Sequence, residues 1–359
     1  QELSAAATDT GFALTSLQTA YAFGRAASYR HGGKSCVFHE EYTFDTLDVE
    51  RLETAWNRVV AEHAMLRTSI GAAGRQRLLD TLPPVAIDVA DAQDAAGFDA
   101  LCERTRERLL GRVYPLDGWP YFALAAVRDA HGGGRVFVNI DLVVADGRSL
   151  LMIVAQWFAL YADPASALPA QTATFRDAVA LRAARRAQPD IVHHTEYWRH
   201  KFAELPAGPA AVQNPAGIHA RTRQLGATLP DAAPLHALAR RLGTTLNTVL
   251  LAAYGATLLE WNAQAPFGVV VVNWDREPEH PQFDTVVGDF TRLAWVAFEP
   301  GARDAAEWVR RTQHQLDRDA MHRNVDGLEL LRLRPDLSYQ VVYTSLVDAA
   351  PLPASLRAT

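Results

Sequence analysis

Asn139-Ile140-Asp141-Leu142-Val143-Val144-Ala145-Asp146-Gly147-Arg148-Ser149 sets two carboxylates five residues apart at a junction between two kinds of apolar run. Before it, Val136 to Val143 reads as a strand entered through the Gly132-Gly133-Gly134 turn. After it, Ser149 to Tyr161 reads as a strongly apolar helix that Ser149 can cap. Strand alternation sends Asp141 to the face opposite Ile140 and Leu142. An ionised Asp in so apolar a stretch is costly unless it is paired. Two readings of Asp146 and Ser149 stand on these residues alone. In one they are a buried salt-bridge partner and a cap; in the other they carry chemistry.

The same alternation of strand and helix extends on both sides. Cys36 to Phe44 reads as a strand, and Asp48 can cap a helix with Leu52, Trp56, Val59 and Val60 on its apolar face. Asp94 to Leu110 is a second helix and Tyr121 to Val127 a further strand. Asp163 to Pro169 reads as a hinge, followed by helical runs over Phe175 to Ala187 and Val192 to Ala203. The loop Pro206 to Gly217 leads to a second α/β series. Its strands are Thr222 to Leu229, Phe267 to Val272, Leu293 to Phe298 and Gln340 to Tyr343. Its helices are Ala233 to Leu242, Leu246 to Trp261 and Asp304 to Met321. The expected organisation is an N-terminal lobe over 1–165, a helical hinge over 166–205 and a C-terminal lobe over 206–359.

At 359 residues and 49% apolar composition the chain is long enough for two lobes with large cores. The formal charge of −6 argues against nucleic acid as a partner. No apolar stretch reaches the ~18 residues of a membrane span. The start lacks a basic signal-peptide region, which reads as cytoplasmic; opening on Gln1, it reads as a piece of a longer polypeptide. Cys36 and Cys102 read as small core residues, since no spacing suits zinc or redox work. No GxGxxG, P-loop or GxSxG pattern supports nucleotide binding or a nucleophile elbow. His193-His194-Thr195-Glu196-Tyr197-Trp198-Arg199 starts like HHxxxDG but has Trp198-Arg199 where Asp-Gly belongs, so these histidines read as exposed on a helix.

Five segments, taken in order, resemble heterocyclization domains, a branch of the condensation-domain superfamily of nonribosomal peptide synthetases. Phe12 to Arg25 is similar to the opening FPLTxxQxAYxxGR motif, with Ala13 in place of Pro. His63-Ala64-Met65-Leu66-Arg67 matches HxMLR. Asp141, Asp146 and Ser149 match DxxxxDxxS, with Leu142 where ordinary condensation domains have their functional second His. His280-Pro281 with Val287-Gly288-Asp289-Phe290-Thr291 resembles HPxxxxxVGDFT. Val341 to Ser345 resembles PVVFTS, with Gln340 for Pro and Tyr343 for Phe.

The resemblance implies an α/β fold of two chloramphenicol-acetyltransferase-like lobes in a V-shaped pseudo-dimer with a central tunnel. It implies condensation of a carrier-bound acyl or peptidyl donor with a carrier-bound Cys, Ser or Thr. The amide is then cyclodehydrated to a thiazoline or oxazoline, for a siderophore or antibiotic. Thr344 belongs to that second step, together with a carboxylate from beyond the VVYTS-like strand, so the C-terminal lobe reads as incomplete at its end. Asp141 and Ser149 share the catalytic motif, while Asp146 is expected to pair with Arg276 from the second lobe and to be structural. Asp289, Thr291, Ser345 and Tyr21 are expected to bind substrate. No cofactor or metal is implied for the domain itself, because substrates arrive on 4'-phosphopantetheine. The implied partners are upstream and downstream carrier domains and an adjacent adenylation domain. Arg182, Arg185 and Arg186 form a candidate carrier-docking patch. The alternative is a non-catalytic module that docks carriers.

Overall fold

The computed structural model describes residues 11–25, 32–71, 73–210, 225–331, 334, 341–347 and 357–358. The chain runs β1 (Phe12–Ala13), α1 (Ser16–Gly24), β2 (Val37–Phe44), α2 (Val49–Glu62), β3 (Thr68–Ile70), β4 (Arg75–Leu78), β5 (Asp88–Asp91), α3 (Ala95–Leu110), β6 (Phe122–Arg128), β7 (Gly134–Asp141) and α4 (Gly147–Ala162). It continues with α5 (Phe175–Arg186), α6 (Ile191–Glu204), α7 (Ala233–Leu242), α8 (Leu246–Trp261), β8 (Phe267–Trp274), β9 (Thr291–Phe298), α9 (Ala305–Met321), α10 (Gly327–Leu331), β10 (Val342–Thr344) and β11 (Arg357–Ala358).

These elements form two compact units that are not consecutive in sequence. The first comprises Gln1–Ala183, Trp274–Thr291 and Ala349–Thr359; the second comprises Ala184–Asn273 and Arg292–Asp348. This differs from lobes drawn over 1–165, 166–205 and 206–359. The reason is burial: Phe283, Val286, Val287 and Phe290 lie in the same apolar cluster as Trp56, Trp157 and Phe175. Arg276 therefore belongs to the first unit and not to a second lobe.

In the first unit a five-stranded sheet has the order β11-β2-β7-β6-β5. β7 is antiparallel to both β2 and β6, with Val37 opposite Asp141 and Phe122 opposite Ile140. A smaller sheet has the order β1-β4-β3. α2 begins at Asp48, whose side chain accepts from the Arg51 amide, and Leu52, Trp56 and Val59 are fully buried. α1 begins with a reciprocal capping box between Thr15 and Gln18. β7 ends at Asp141 rather than at Val143. There the Val143 amide donates to the Asp141 carboxylate at 2.9 Å, turning the chain out of the sheet. α4 is capped by Asp146 rather than by Ser149.

The second unit has a three-stranded sheet of order β10-β8-β9, in which β10 runs parallel to β8 with Thr344 opposite Val272. Trp198, Phe202 and Trp295 pack one face, and Leu251, Phe267, Val271 and Phe298 form a separate cluster. Residues 225–229, read as part of a strand, have no regular structure; Leu225 and Leu229 are exposed and no strand among the described residues pairs with them. Residues 222–224 of that expected strand lie outside the described residues.

One histidine of α6 also differs from expectation. His193 and His200 are exposed, but His194 is half-buried, with its Nδ1 3.0 Å from Nδ1 of His322. The His322 ring stacks on Tyr197 at 3.9 Å. Burial, with His194 and His193 beside it, pushes the His322 imidazole down to about 4. Cys102 is a core residue, whereas Cys36 is exposed. Among the described residues no single helix is long and apolar enough to cross a membrane.

Candidate functional site

The β7–α4 junction splits its two carboxylates into different environments. Asp146 sits at the N-terminus of α4 with extended backbone, where its Oδ1 accepts the Ser149 amide at 2.7 Å. A carboxylate there also faces the positive end of the helix dipole. Its Oδ2 accepts the Phe290 amide at 3.1 Å, and Arg276 Nη2 approaches the two oxygens at 3.0 and 3.2 Å. Ser149 Oγ receives the same Nη2 at 2.8 Å and the Gly288 amide at 3.1 Å, and it lies 3.0 Å from the Gly288 carbonyl. Arg276 Nη1 donates to the carbonyls of Phe283 and Val286 at 2.9 and 2.6 Å, and its guanidinium lies 4.4 Å over the Phe290 ring. Asp146, Ser149 and Arg276 are all buried. Both Asp146 oxygens are committed to N–H donors within the protein. The arrangement clamps the Val287-to-Thr291 segment onto the start of α4.

Asp141 is fully buried but only partly satisfied. Its Oδ1 accepts the Val143 amide and contacts Arg25 Nη2 at 2.6 Å. Its Oδ2 has no hydrogen-bond partner among the described residues. Burial pushes the Asp141 carboxyl up, opposed by Arg25 and by hydrogen bonds from the Val143 amide and Ser35. Arg25 caps the C-terminus of α1, and its side chain is only 6% exposed. α1 itself is anchored by Gln18, which donates to the Val143 carbonyl at 2.6 Å and to Gln76 at 2.9 Å.

Tyr21 precedes Arg25 by one turn of α1 and shares its side of the helix. Burial raises the Tyr21 phenol, reinforced by Asp289, Cys36 and Asp141, so it stays protonated as a donor. Asp289 is 1% exposed; its Oδ1 accepts the Thr291 amide at 3.2 Å, while its Oδ2 has no partner among the described residues. Burial pushes the Asp289 carboxyl up to about 7, partly offset by the Thr291 side chain. It can thus hold or release a proton near neutrality. Burial of the thiol and the neighbouring Asp141 and Asp289 raise Cys36, although the residue as a whole reaches solvent.

The first unit therefore brings together Tyr21, Asp141, Asp146, Ser149, Arg276, Asp289 and Thr291. Thr344 and Ser345 belong to the second unit. Thr344 is exposed at the end of β10, and Tyr343 beside it anchors that strand to α8 through Asn247 Oδ1 at 3.1 Å. Sequence reasoning gave no role to Arg25 or Gln18. Both stand in the opening motif, Gln18 in the first turn of α1 and Arg25 just past its end. The arginine patch is not free: Arg182 Nε binds Glu277 at 3.0 Å, and Arg186 pairs with Glu329. Among the described residues no group of three or more His, Cys, Asp or Glu side chains is placed to hold a metal.

Residues 29–348 match the Condensation domain family profile. The chain is 34% identical over 333 residues to the pyochelin synthetase PchF of Pseudomonas aeruginosa, covering 89% of this chain and 18% of PchF. It is 30% identical over 339 residues to the phenyloxazoline synthase MbtB of Mycobacterium sp., covering 90% of this chain and 28% of MbtB. It thus spans less than a third of either relative. Its fold matches the EpoB cyclization-docking bidomain of Sorangium cellulosum with a TM-score of 0.84 and 26% identity, covering 96% of this chain and 72% of that one. The coverage, the identity and the shared α/β fold lead to one assignment: this chain belongs to the condensation-domain family of nonribosomal peptide synthetases.

Proposed function

We propose that this domain joins a carrier-bound acyl or peptidyl donor to a carrier-bound Cys, Ser or Thr and then cyclodehydrates the amide to a thiazoline or oxazoline. The carrying observation is the β7–α4 junction. Leu142 stands where an ordinary condensation domain has its imidazole, and Asp146 is saturated by Ser149, Phe290 and Arg276. Neither offers a free base for amide formation, so that step depends on holding two thioesters in near-attack geometry. The amine attacks the donor carbonyl and displaces the donor carrier's thiol. The side-chain thiol or hydroxyl then adds to the new amide carbonyl, and the adduct loses water. This second step needs a proton delivered to the departing hydroxyl and another removed from nitrogen. Thr344 offers an exposed hydroxyl that both donates and accepts, suited to orienting that exchange. The names of the relatives, a phenyloxazoline synthase and a cyclization bidomain, favour the same reading. Both substrates arrive on 4'-phosphopantetheine arms of carrier domains, with an adenylation domain loading the acceptor.

Single-turnover intact-mass spectrometry tests this. The protein is mixed with an acyl-loaded donor carrier and a cysteinyl-loaded acceptor carrier. The expected product is the amide less one water, and Thr344→Ala is expected to accumulate the amide that has not lost water. An amide that never loses water reduces the reading to condensation alone. Bound carriers with no product make the domain a docking module.

A further inference from the structure

The contact between Arg25 and Asp141 leaves most of the guanidinium unused. Nη2 lies 2.6 Å from Asp141 Oδ1, yet Nε, Nη1 and Nη2 of Arg25 have no aligned hydrogen-bond partner among the described residues. The side chain is more than nine-tenths buried and lies 5.6 Å over the Tyr121 ring. Buried N–H donors without acceptors forfeit the hydration they had in the unfolded chain. A guanidinium held this way has a use for its donors or is a liability. Cys36, whose carbonyl accepts the Leu142 amide at 2.9 Å directly after Asp141, is exposed, so the strand end beside the cluster reaches solvent. Tyr21, one helical turn before Arg25, adds a second protonated donor to the same neighbourhood.

We propose that Arg25 is the carbonyl-binding residue of this site: its spare guanidinium donors, held beside Asp141, receive the carbonyl oxygen of the carrier-bound acyl group. The proposal rests on the acyl-transfer reading above. Pairing explains the choice of ligand. An unpaired buried arginine would favour a carboxylate, whereas Asp141 cancels the net charge and leaves N–H dipoles suited to a neutral acceptor. The site therefore selects an acyl carbonyl over the free acid that hydrolysis would release. Binding the oxygen as negative charge develops on it during amine attack would also assist that step.

The test uses two pantetheine probes that differ only in the carbonyl: an acyl ketone in which CH2 replaces the thioester sulfur, and the same chain with that ketone reduced to CH2. The native protein is expected to bind the ketone at least tenfold more tightly by calorimetry, and Arg25→Met to lose that preference. Because Arg25→Met strands a buried carboxylate, the paired variant Arg25→Met with Asp141→Leu is measured beside it and is expected to fold and show no preference. Asp141→Asn is expected to shift selectivity towards the corresponding carboxylate probe. A ketone preference that survives in the paired variant overturns the role of Arg25 and leaves the acyl-transfer reading intact. Failure of the native protein to bind either probe overturns that reading, and this one with it.

Discussion

Asp146 and Asp141 stand five residues apart on one chain segment, both buried, and the protein treats them in opposite ways. Asp146 has the Ser149 amide, the Phe290 amide and Arg276 Nη2 around it; Asp141 has the Val143 amide, Ser35 and Arg25 beside it, yet its Oδ2 stays unmatched among the described residues. A saturated buried carboxylate is a fastener, because no lone pair is left to meet a substrate. An unsaturated one beside orphaned donors marks a place prepared for something else.

The largest expected effect follows from the fastener. Asp146→Ala strands the Arg276 charge in a closed core, a loss of about 3–5 kcal/mol. Chemical denaturation should show it, and loss of folded protein should accompany loss of activity. An Asp146→Ala protein as stable as the parent but inactive would make Asp146 a catalytic group and erase the contrast with Asp141.

The next test sets the two units against each other by pH. Asp289 in the first unit has its carboxyl raised to about 7, against ~4 when unfolded. The folded form then binds the extra proton between these values, so this group's contribution to stability falls as pH rises from about 4 to 7. His322 in the second unit is pushed down to about 4 against ~6.5 unfolded. There the unfolded form binds the extra proton, so stability is lost as pH falls from about 6.5 to 4. Hydrogen exchange followed across pH 4–7 should show opposite slopes in the two units. Asp289→Asn should flatten the first slope and His322→Gln the second; equal slopes in both variants and parent would refute the assignment.

The smallest effect belongs to Arg186 and Glu329, a pair in the second unit in which Arg186 is exposed and Glu329 half-buried. Arg186→Ala should cost no more than about 1 kcal/mol by thermal denaturation. A larger loss would mean the pair is less open to water than its exposure suggests. A second pair bears on docking: charge reversal at Arg182 would break its bond to Glu277, so reduced carrier binding by such a variant would not by itself identify a docking patch.

How much was legible varied with the range of the interaction involved. α2 could be read from Asp48 and the spacing of Leu52, Trp56 and Val59, and all three are fully buried. The short strands β3, β4 and β5 gave no periodic signal over so few residues, and residues 225–229 resembled a strand yet have no partner. In the site, Asp141, Asp146 and Ser149 stood out as polar groups in apolar surroundings, and Asp289 through the VGDFT resemblance. Arg25 did not, because an arginine at a helix end is ordinary until its burial is known.

The sequence by itself determined the long helices, such as α2 with its Asp48 cap, and the order of the motif segments, since a helix closes its hydrogen bonds within a few residues and its apolar stripe repeats locally. Only the tertiary structure decided that Trp274–Thr291 packs with the N-terminal residues and that Arg25 meets Asp141 with donors to spare. Each of those depends on which distant residue fills a buried partner's place. That choice is made by the competition among all groups for burial and hydrogen bonds, and no window of sequence contains it.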